Sequence, residues 1–234
     1  MPHPVIALVL SMTSTLGAAP APELSVRYER PDSPRAEQAK RLLKESGALK
    51  TGIRLPQPVK VVARDCDEPA TSWNHDEREI TICYSLVDKV RRTMKGLAET
   101  EETDPRAAAA RMDGALAVLF HHQLGHALTT LNGMQDSDGQ ADQFAALTLT
   151  ADAPKRVVPA AEARHLLAGH TGIDHLSGLD ASAAFTCLLY GADPAKYGRI
   201  AESGWVPAER APSCTGEYNR VKAAIGSMAV KAGS

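Results

Sequence analysis

The feature that most constrains the fold is a long helical pattern in the middle of the chain. Asp104 and Pro105 are typical of a helix start, because aspartate can cap free backbone amides and proline fits the first helical position. Asn132 and Gly133 favour a helix end, because both tolerate a left-handed backbone. The pattern predicts a helix over 105–131, roughly 40 Å long. Apolar residues surround its second half, so we expect it to be central and largely buried.

The remaining patterns divide the chain into a mixed first third and a helical remainder. Strands are predicted at 24–28, 59–66 and 79–85, and helices at 34–46, 87–98, 138–150, 157–169, 179–190 and 214–230. The segment between the second and third strands is rich in acids and turn formers, which is typical of a solvated hairpin connection. We therefore expect an α+β fold, with a small N-terminal antiparallel sheet and a mostly helical remainder built around the central helix.

The four cysteines are an even number, which fits an oxidising compartment. A hairpin of the second and third strands would bring Cys66 close to Cys83. We therefore predict the two pairings that are local in sequence, Cys66 with Cys83 and Cys187 with Cys214. The alternative is four reduced cysteines in the core, since cysteine is often buried without a partner.

Residues 1–20 have the segment order of a signal peptide. The apolar run Val5–Leu10 precedes small residues, and cleavage is expected near Ala18 to Ala21. The basic residue expected before this run is missing, so a loosely helical tail is the alternative. Export would place a single domain, residues 24–234, outside the cell or in the periplasm. No other apolar run is long enough to span a bilayer.

The composition argues against a nucleic-acid-binding protein. Lys and Arg together number 26 and Asp and Glu 28, and aromatic residues make up 4% of the chain. The chain therefore lacks both a basic footprint and a supply of stacking side chains. We therefore set a nucleic-acid partner aside.

Two histidines on the central helix form half of a metal site. His122 and His126 are four residues apart, so their rings project from one face of the helix within reach of one ion. Asp138 and Asp142 follow, and their spacing resembles the Glu-x-x-x-Asp arrangement of thermolysin-like zinc peptidases. We predict Asp138 as the third zinc ligand and Asp142 as the carboxylate that orients a ligand histidine. The reverse assignment stays open, Asp136 is a further candidate, and the alternative is core histidines beside acids that favour a helix N-terminus.

Several segments in one order along the chain match the pattern of a known family: Ser25–Tyr28, Leu42–Gly47, Cys66, Glu79–Tyr84, the 105–131 helix, Ala141–Leu147, Asp174-His175, Cys187, Tyr190–Pro194, Pro207–Ala211 and Cys214–Tyr218. In these segments the sequence resembles a family of secreted bacterial metallopeptidases classed as a domain of unknown function. The resemblance implies a zincin-like fold, a single zinc ion, export and an assumed peptidase activity without a known substrate. Two segments depart from the family pattern: His-Glu-x-x-His reads His122-Gln-Leu-Gly-His126 here, and Asn-Ala-Phe-Tyr-Asp reads Ser72-Trp-Asn-His-Asp76.

Gln123 occupies the position of the glutamate that acts as general base in working zincins. A primary amide cannot accept the proton of a zinc-bound water, so turnover should weaken more than binding. His175, which follows an aspartate, is the candidate for a substitute base or transition-state donor, with an ordinary loop histidine as the alternative. His170 could also enter from a loop, whereas His121 points about 100° away around the helix. Tyr218 could donate to an oxyanion or could simply pack beside Cys214.

Three function classes follow from these residues. The first is an exported zinc metallopeptidase, weakened at its base position. The second is a catalytically silent zinc-binding domain that captures a peptide or protein partner. The third is a disulfide-stapled envelope protein that binds no metal, in which His122 and His126 would be core residues.

Overall fold

Eight α-helices and one four-stranded sheet make up the part of the chain that the computed structural model describes. The described residues are 24–99 and 104–229, except 171, 172, 174, 175 and 177. The strands are β1 (Leu24–Tyr28), β2 (Val59–Arg64), β3 (Thr71–Asn74) and β4 (Glu79–Cys83). The helices are α1 (Pro34–Ser46), α2 (Tyr84–Glu99), α3 (Pro105–Leu131), α4 (Asp138–Asp152), α5 (Val157–Ala168), α6 (Leu179–Ala192), α7 (Arg199–Glu202) and α8 (Cys214–Ile225). The predicted α+β class is confirmed, and the architecture is consistent with a zincin-like fold.

The sheet differs from the prediction in its pairing. Its strand order is β1-β2-β4-β3, with β1 and β4 both parallel to β2 and only β3 antiparallel to its neighbour β4. The expected antiparallel sheet and the hairpin between the second and third predicted strands are therefore wrong. The cause is β3, which lies within the segment assigned to a solvated connection. A tight turn at 75–78 joins it to β4, so the chain crosses back and β4 lies parallel to β2.

The central helix α3 has the predicted bounds and lies between the two halves of the hydrophobic core. The Asp104 side chain caps the start of α3 by accepting a hydrogen bond from the Arg106 backbone amide. Residues 114–129 of the helix are buried. One side of the helix packs with the sheet and α1, and the other with α5, while α2 contributes side chains to both halves of the core. Gly125 allows the closest approach to α4, because a Cβ there would lie 2.2 Å from the carbonyl oxygen of Ala141. This contact brings the start of α4 alongside the histidines of α3.

Both predicted disulfides are confirmed. Cys66 and Cys83 are bonded with their Cα atoms 5.5 Å apart, and Cys187 and Cys214 are bonded with theirs 5.1 Å apart. The first bond forms although the hairpin does not, because β2 and β4 are neighbours in either arrangement. Two disulfides fit an oxidising compartment. None of the described helices is long and apolar enough to cross a membrane.

The predicted signal peptide, residues 1–20, lies outside the described residues.

Candidate metal centre

His122 and His126 direct the same ring atom toward one point. The two Nε2 atoms are 3.1 Å apart, and both residues are almost completely buried. Two nitrogen ligands, each about 2.0–2.1 Å from a tetrahedral zinc ion, would lie roughly 3.3 Å apart. The spacing of four residues on α3 therefore produces the separation that a shared metal ion requires.

Asp138 supplies a carboxylate oxygen to the same point. Its Oδ1 lies 3.4 Å from Nε2 of His126 and 3.7 Å from Nε2 of His122. The three ligand atoms lie within 4.8 Å of one another, and they form a His-His-Asp cluster that could hold a metal ion. Asp138 is the first residue of α4, where the Ser137 side chain caps the helix by accepting from the Gln140 amide. The Asp138 side chain is 65% exposed, so solvent and ligands can reach this side of the cluster.

Two further carboxylates hold the histidines from behind. Asp142 lies 2.7 Å from Nδ1 of His122, and Asp136 lies 2.7 Å from Nδ1 of His126. A carboxylate only accepts hydrogen bonds, so each Nδ1 donates and the Nε2 atoms are left to face each other and Asp138. Two imidazole nitrogens and a carboxylate oxygen that converge in this way fit a cation. Asp142 lies behind His122 and Asp136 lies behind His126, where each carboxylate fixes the orientation of the ring.

Arg164 belongs to this arrangement, and sequence reasoning missed it. Arg164 is a residue of α5, and its side chain is 1% exposed. Its Nη2 donates to Oδ2 of Asp142 over 3.0 Å. It also lies over the ring of Phe185, 5.9 Å from the ring centre. Because Arg164 donates to one oxygen of Asp142 and His122 contacts the other, Arg164 helps to fix this carboxylate behind the histidine. The sequence of α5 gave little signal for this role, because Glu162 and His165 accompany Arg164 in the same helix.

Gln123 contacts a threonine of strand β3, whereas His122 and His126 contact carboxylates in and just before α4. Its side chain is 1% exposed, and Nε2 donates to the Thr71 hydroxyl over 3.1 Å. Thr71 is the first residue of β3 and is itself buried. The amide at the base position therefore ties α3 to the edge strand of the sheet. A carboxylate at this position could accept from Thr71, but it could not donate to it.

His121 lies apart from the cluster, as its place on the helix predicts. It is fully buried, and its Nδ1 lies 2.9 Å from the Thr148 hydroxyl on α4. That hydroxyl also donates to the Ala145 carbonyl, so it accepts from Nδ1 of His121. Burial lowers the pKa of His121 to about 4, and the ring is neutral at pH 7. This histidine has a core role.

The other candidates for a substitute base have separate positions. His175 and the aspartate before it lie outside the described residues, so the role predicted for His175 stays a prediction. His170 follows the end of α5. Tyr218 packs against both halves of the hydrophobic core, and its hydroxyl lies 3.4 Å from that of Thr150. These contacts agree with the packing alternative for Tyr218.

One comparison with known proteins gives a match. The model of a family described as "Putative metallopeptidase" matches residues 28–226, which is most of the chain. No curated protein and no solved structure matches the sequence. The matched region contains the complete His-His-Asp cluster and both disulfides.

Proposed function

The chain belongs to the family described as "Putative metallopeptidase", and we propose that it is an exported zinc protein whose inherited reaction is hydrolysis of peptide bonds. The observation that carries this proposal is the convergence of Nε2 of His122, Nε2 of His126 and Oδ1 of Asp138. Two imidazoles and one carboxylate are a ligand set typical of hydrolytic zinc sites, which keep a fourth position open. The exposed side of Asp138 is where that position would be reached.

The proposed ligands and the residues behind them have distinct roles. His122, His126 and Asp138 would hold the ion, which supplies a water molecule of lowered pKa and polarises a substrate carbonyl. Asp142 and Asp136 fix the ring orientation of the two histidines, and Arg164 holds Asp142 in place through a hydrogen bond. Such supporting contacts raise the affinity of a site for metal.

Gln123 limits the proposed reaction. Its amide can hydrogen-bond a water molecule or Thr71, but it cannot remove a proton, so the general base contribution is lost. That contribution is on the order of 10²–10⁴ in rate. We therefore infer a slow peptidase that binds its substrate better than it converts it.

Strand β3 is the proposed place for an extended substrate. It is the last strand of the sheet and pairs with β4 alone among the described strands. An edge strand offers free backbone groups to an extended peptide, which can add to the sheet as a further strand. Gln123 and the bond from Trp73 Nε1 to the Thr130 hydroxyl, 2.8 Å long, hold this edge against α3. A peptide added there would run beside the metal cluster.

A silent zinc-binding domain is the second candidate function. The bond between Gln123 and Thr71 favours it, because the residue at the base position is engaged in a structural contact. In that case the metal cluster and the edge of β3 would bind a peptide or protein without cutting it. The metal-free alternative fits less well, because it gives no role to the convergence of Asp138 Oδ1 on both histidine Nε2 atoms. Export is part of both zinc-binding proposals and is supported by the two disulfides.

The proposal is tested by metal analysis and a peptidase assay on the same preparation. We expect about one zinc ion per chain after purification without added metal, and slow cleavage of a mixed peptide library that a chelator abolishes. Zinc without any cleavage would leave the silent binding domain. A metal content below about a tenth of an equivalent would contradict both zinc-binding functions.

A further inference from the structure

A cavity adjoins the metal cluster on the side of α4. Its volume is about 440 Å³, within the range of small-ligand pockets. Asp138 and Asp142 line it from α4 and Arg164 from α5, and residues of α6 and α8 complete its wall. Because Asp138 lines the cavity and also faces both histidine Nε2 atoms, the cavity opens directly beside the cluster.

The side of the cavity that α6 forms is apolar. Ala181 and Ala184 of α6 and Val221 of α8 are exposed or half-buried there, whereas Phe185 and Leu188 are buried behind them. An apolar wall of this kind stabilises an apolar side chain by removing its surface from water. Arg164 lies over the Phe185 ring and donates a hydrogen bond to Asp142. The protein itself therefore compensates its charge.

A second arginine of the cavity is also neutralised by the protein. Arg210 donates to Glu217 over 2.8 Å, and the Ser213 hydroxyl donates to the same carboxylate over 2.7 Å. These hydrogen bonds, that from Arg210 first, lower the pKa of Glu217. Glu217 is therefore charged at neutral pH, and its pair with Arg210 leaves little charge for a ligand.

Arg220 differs from the other two arginines of the cavity. It lies on α8 and is exposed to solvent. Among the residues that the structure describes, no carboxylate forms an ion pair with its guanidinium, although its charge contributes from a longer distance to the lowered pKa of Glu217. A guanidinium binds a carboxylate through two parallel hydrogen bonds, which gives such a contact both strength and direction. Arg220 is therefore the group of the cavity that can accept the charge of an anionic ligand.

We propose that this cavity binds the C-terminal residue of a peptide, with an apolar side chain against Ala184 and Val221 and the free α-carboxylate on Arg220. The inference rests on the proposed function and names its substrate class. The chain selects peptides that end in an apolar residue with a free carboxylate, and it cuts within the last residues rather than in the interior. The position of the cavity beside Asp138 requires this, because a peptide anchored there has its C-terminal bonds nearest to the cluster.

The test measures binding, so that it does not depend on turnover. The probes are two synthetic peptides, acetyl-tetraalanyl-leucine with a free carboxylate and the same peptide as its C-terminal amide. Isothermal titration calorimetry with the zinc-loaded native chain should give about tenfold or more tighter binding of the free acid, as expected for a hydrogen-bonded charge. Equal affinity for the two peptides would overturn the inference.

Two variants assign the preference to Arg220. Arg220→Ala should bind acid and amide equally, whereas Arg41→Ala, which removes an exposed arginine of α1 away from the cavity, should keep the native preference. Thermal unfolding of both variants checks that the fold is retained. A preference for the acid that persists in folded Arg220→Ala would contradict the proposal.

The apolar wall is tested by a second pair of peptides. Replacing the C-terminal leucine by glutamate, with the carboxylate kept free, should weaken binding about tenfold or more, because a charged side chain would enter an apolar site. Equal binding of the two would contradict the role of the apolar side of the cavity at Ala184 and Val221.

The outcomes separate this inference from the proposed function. A preference for the free acid without any cleavage would retain the cavity and reject the hydrolase. Cleavage in the interior of peptides, with equal affinity for acid and amide, would retain the hydrolase and reject the cavity as a C-terminal site.

Discussion

In its C-terminal half, helix α3 carries different chemistry on the side of α4 and on the side of β3. On the side of α4, His122 and His126 face three carboxylates and have the geometry of a metal site. On the side of β3, Gln123 faces the hydroxyl of Thr71 and has no carboxylate chemistry of its own. One side of the helix thus offers a cluster that could hold a metal ion, whereas on the other side Gln123 makes a structural contact at the position where the proposed reaction needs a base. Binding and turnover can therefore be altered separately in this chain.

The largest expected effect comes from breaking the metal-binding side. His126→Ala removes one of three proposed ligands and should lower zinc affinity on the order of 10³-fold, since three ligands share a binding free energy of about 10 kcal/mol or more. Competition with a chromogenic chelator measures this. His165→Ala, in which a half-buried histidine of α5 is removed, is the control and should leave zinc affinity unchanged. Unchanged affinity in His126→Ala would remove this histidine from the site.

Restoring the proton-transfer side should have the next largest effect. Gln123→Glu supplies a general base at nearly the same volume, so the rate of peptide hydrolysis should rise by a factor on the order of 10²–10⁴. The assay compares both chains at equal zinc content. If the glutamate form holds zinc and cleaves nothing, the cleft has lost more than its base. If the native chain is already as fast, a substitute such as His175 is at work, and His175→Ala should abolish activity.

A third histidine of α3, His121, contacts a hydroxyl group rather than a carboxylate. The pKa of His121 is lowered to about 4 by burial, whereas an unfolded histidine titrates near 6.5. Between these values the unfolded state binds the proton and the native state does not, so the free energy of unfolding falls as pH falls. The loss begins near pH 6.5, is complete near pH 4, and amounts to about 3 kcal/mol.

Denaturant unfolding of the native chain and of His121→Asn from pH 7 to pH 4 isolates this contribution. The stability difference between the two should change by about 3 kcal/mol across that range, because contributions from zinc release are common to both chains. A difference independent of pH would mean that His121 is not held neutral by burial.

The smallest of these effects concerns the carboxylates behind the histidines. Asp142→Asn and Asp136→Asn should each lower zinc affinity by about 10–100-fold, because an amide orients the histidine less strongly. Asp142 should have the larger effect, since it is buried and paired with Arg164, whereas Asp136 is 41% exposed. Asp67→Asn, on an exposed loop, is the matched control. Equal affinities in all three variants would leave the two bonds to Nδ1 without influence on the metal.

The sequence predicted those parts of the molecule that local rules decide. The bounds of α3 follow from Asp104, Pro105 and the Asn132-Gly133 pair, and the start of α4 follows from Ser137. The spacing of His122 and His126 fixes their common face, because the helical repeat leaves no other arrangement. Both disulfides were also predicted, since neighbouring strands bring Cys66 to Cys83 whatever their direction.

The parts that were missed depend on tertiary contacts. β3 has only four residues and a polar surrounding sequence, so its pairing with β4 decides that it is a strand. Arg164 reaches Asp142 from a separate helix, 22 residues away, and no sequence period connects the two. The bond from Gln123 to Thr71 spans 52 residues and exists because β3 packs on α3. Each requires knowledge of which elements are neighbours in space.

X-ray absorption at the zinc edge of the native chain tests the central claim most directly. The account predicts one zinc ion with two imidazole nitrogens at about 2.0–2.1 Å and carboxylate oxygen at about 2.0–2.2 Å. The imidazole signal should fall to a single ring in any zinc retained by His126→Ala. A zinc ion with sulfur at about 2.3 Å, or one without imidazole ligands, would contradict a site built from His122, His126 and Asp138.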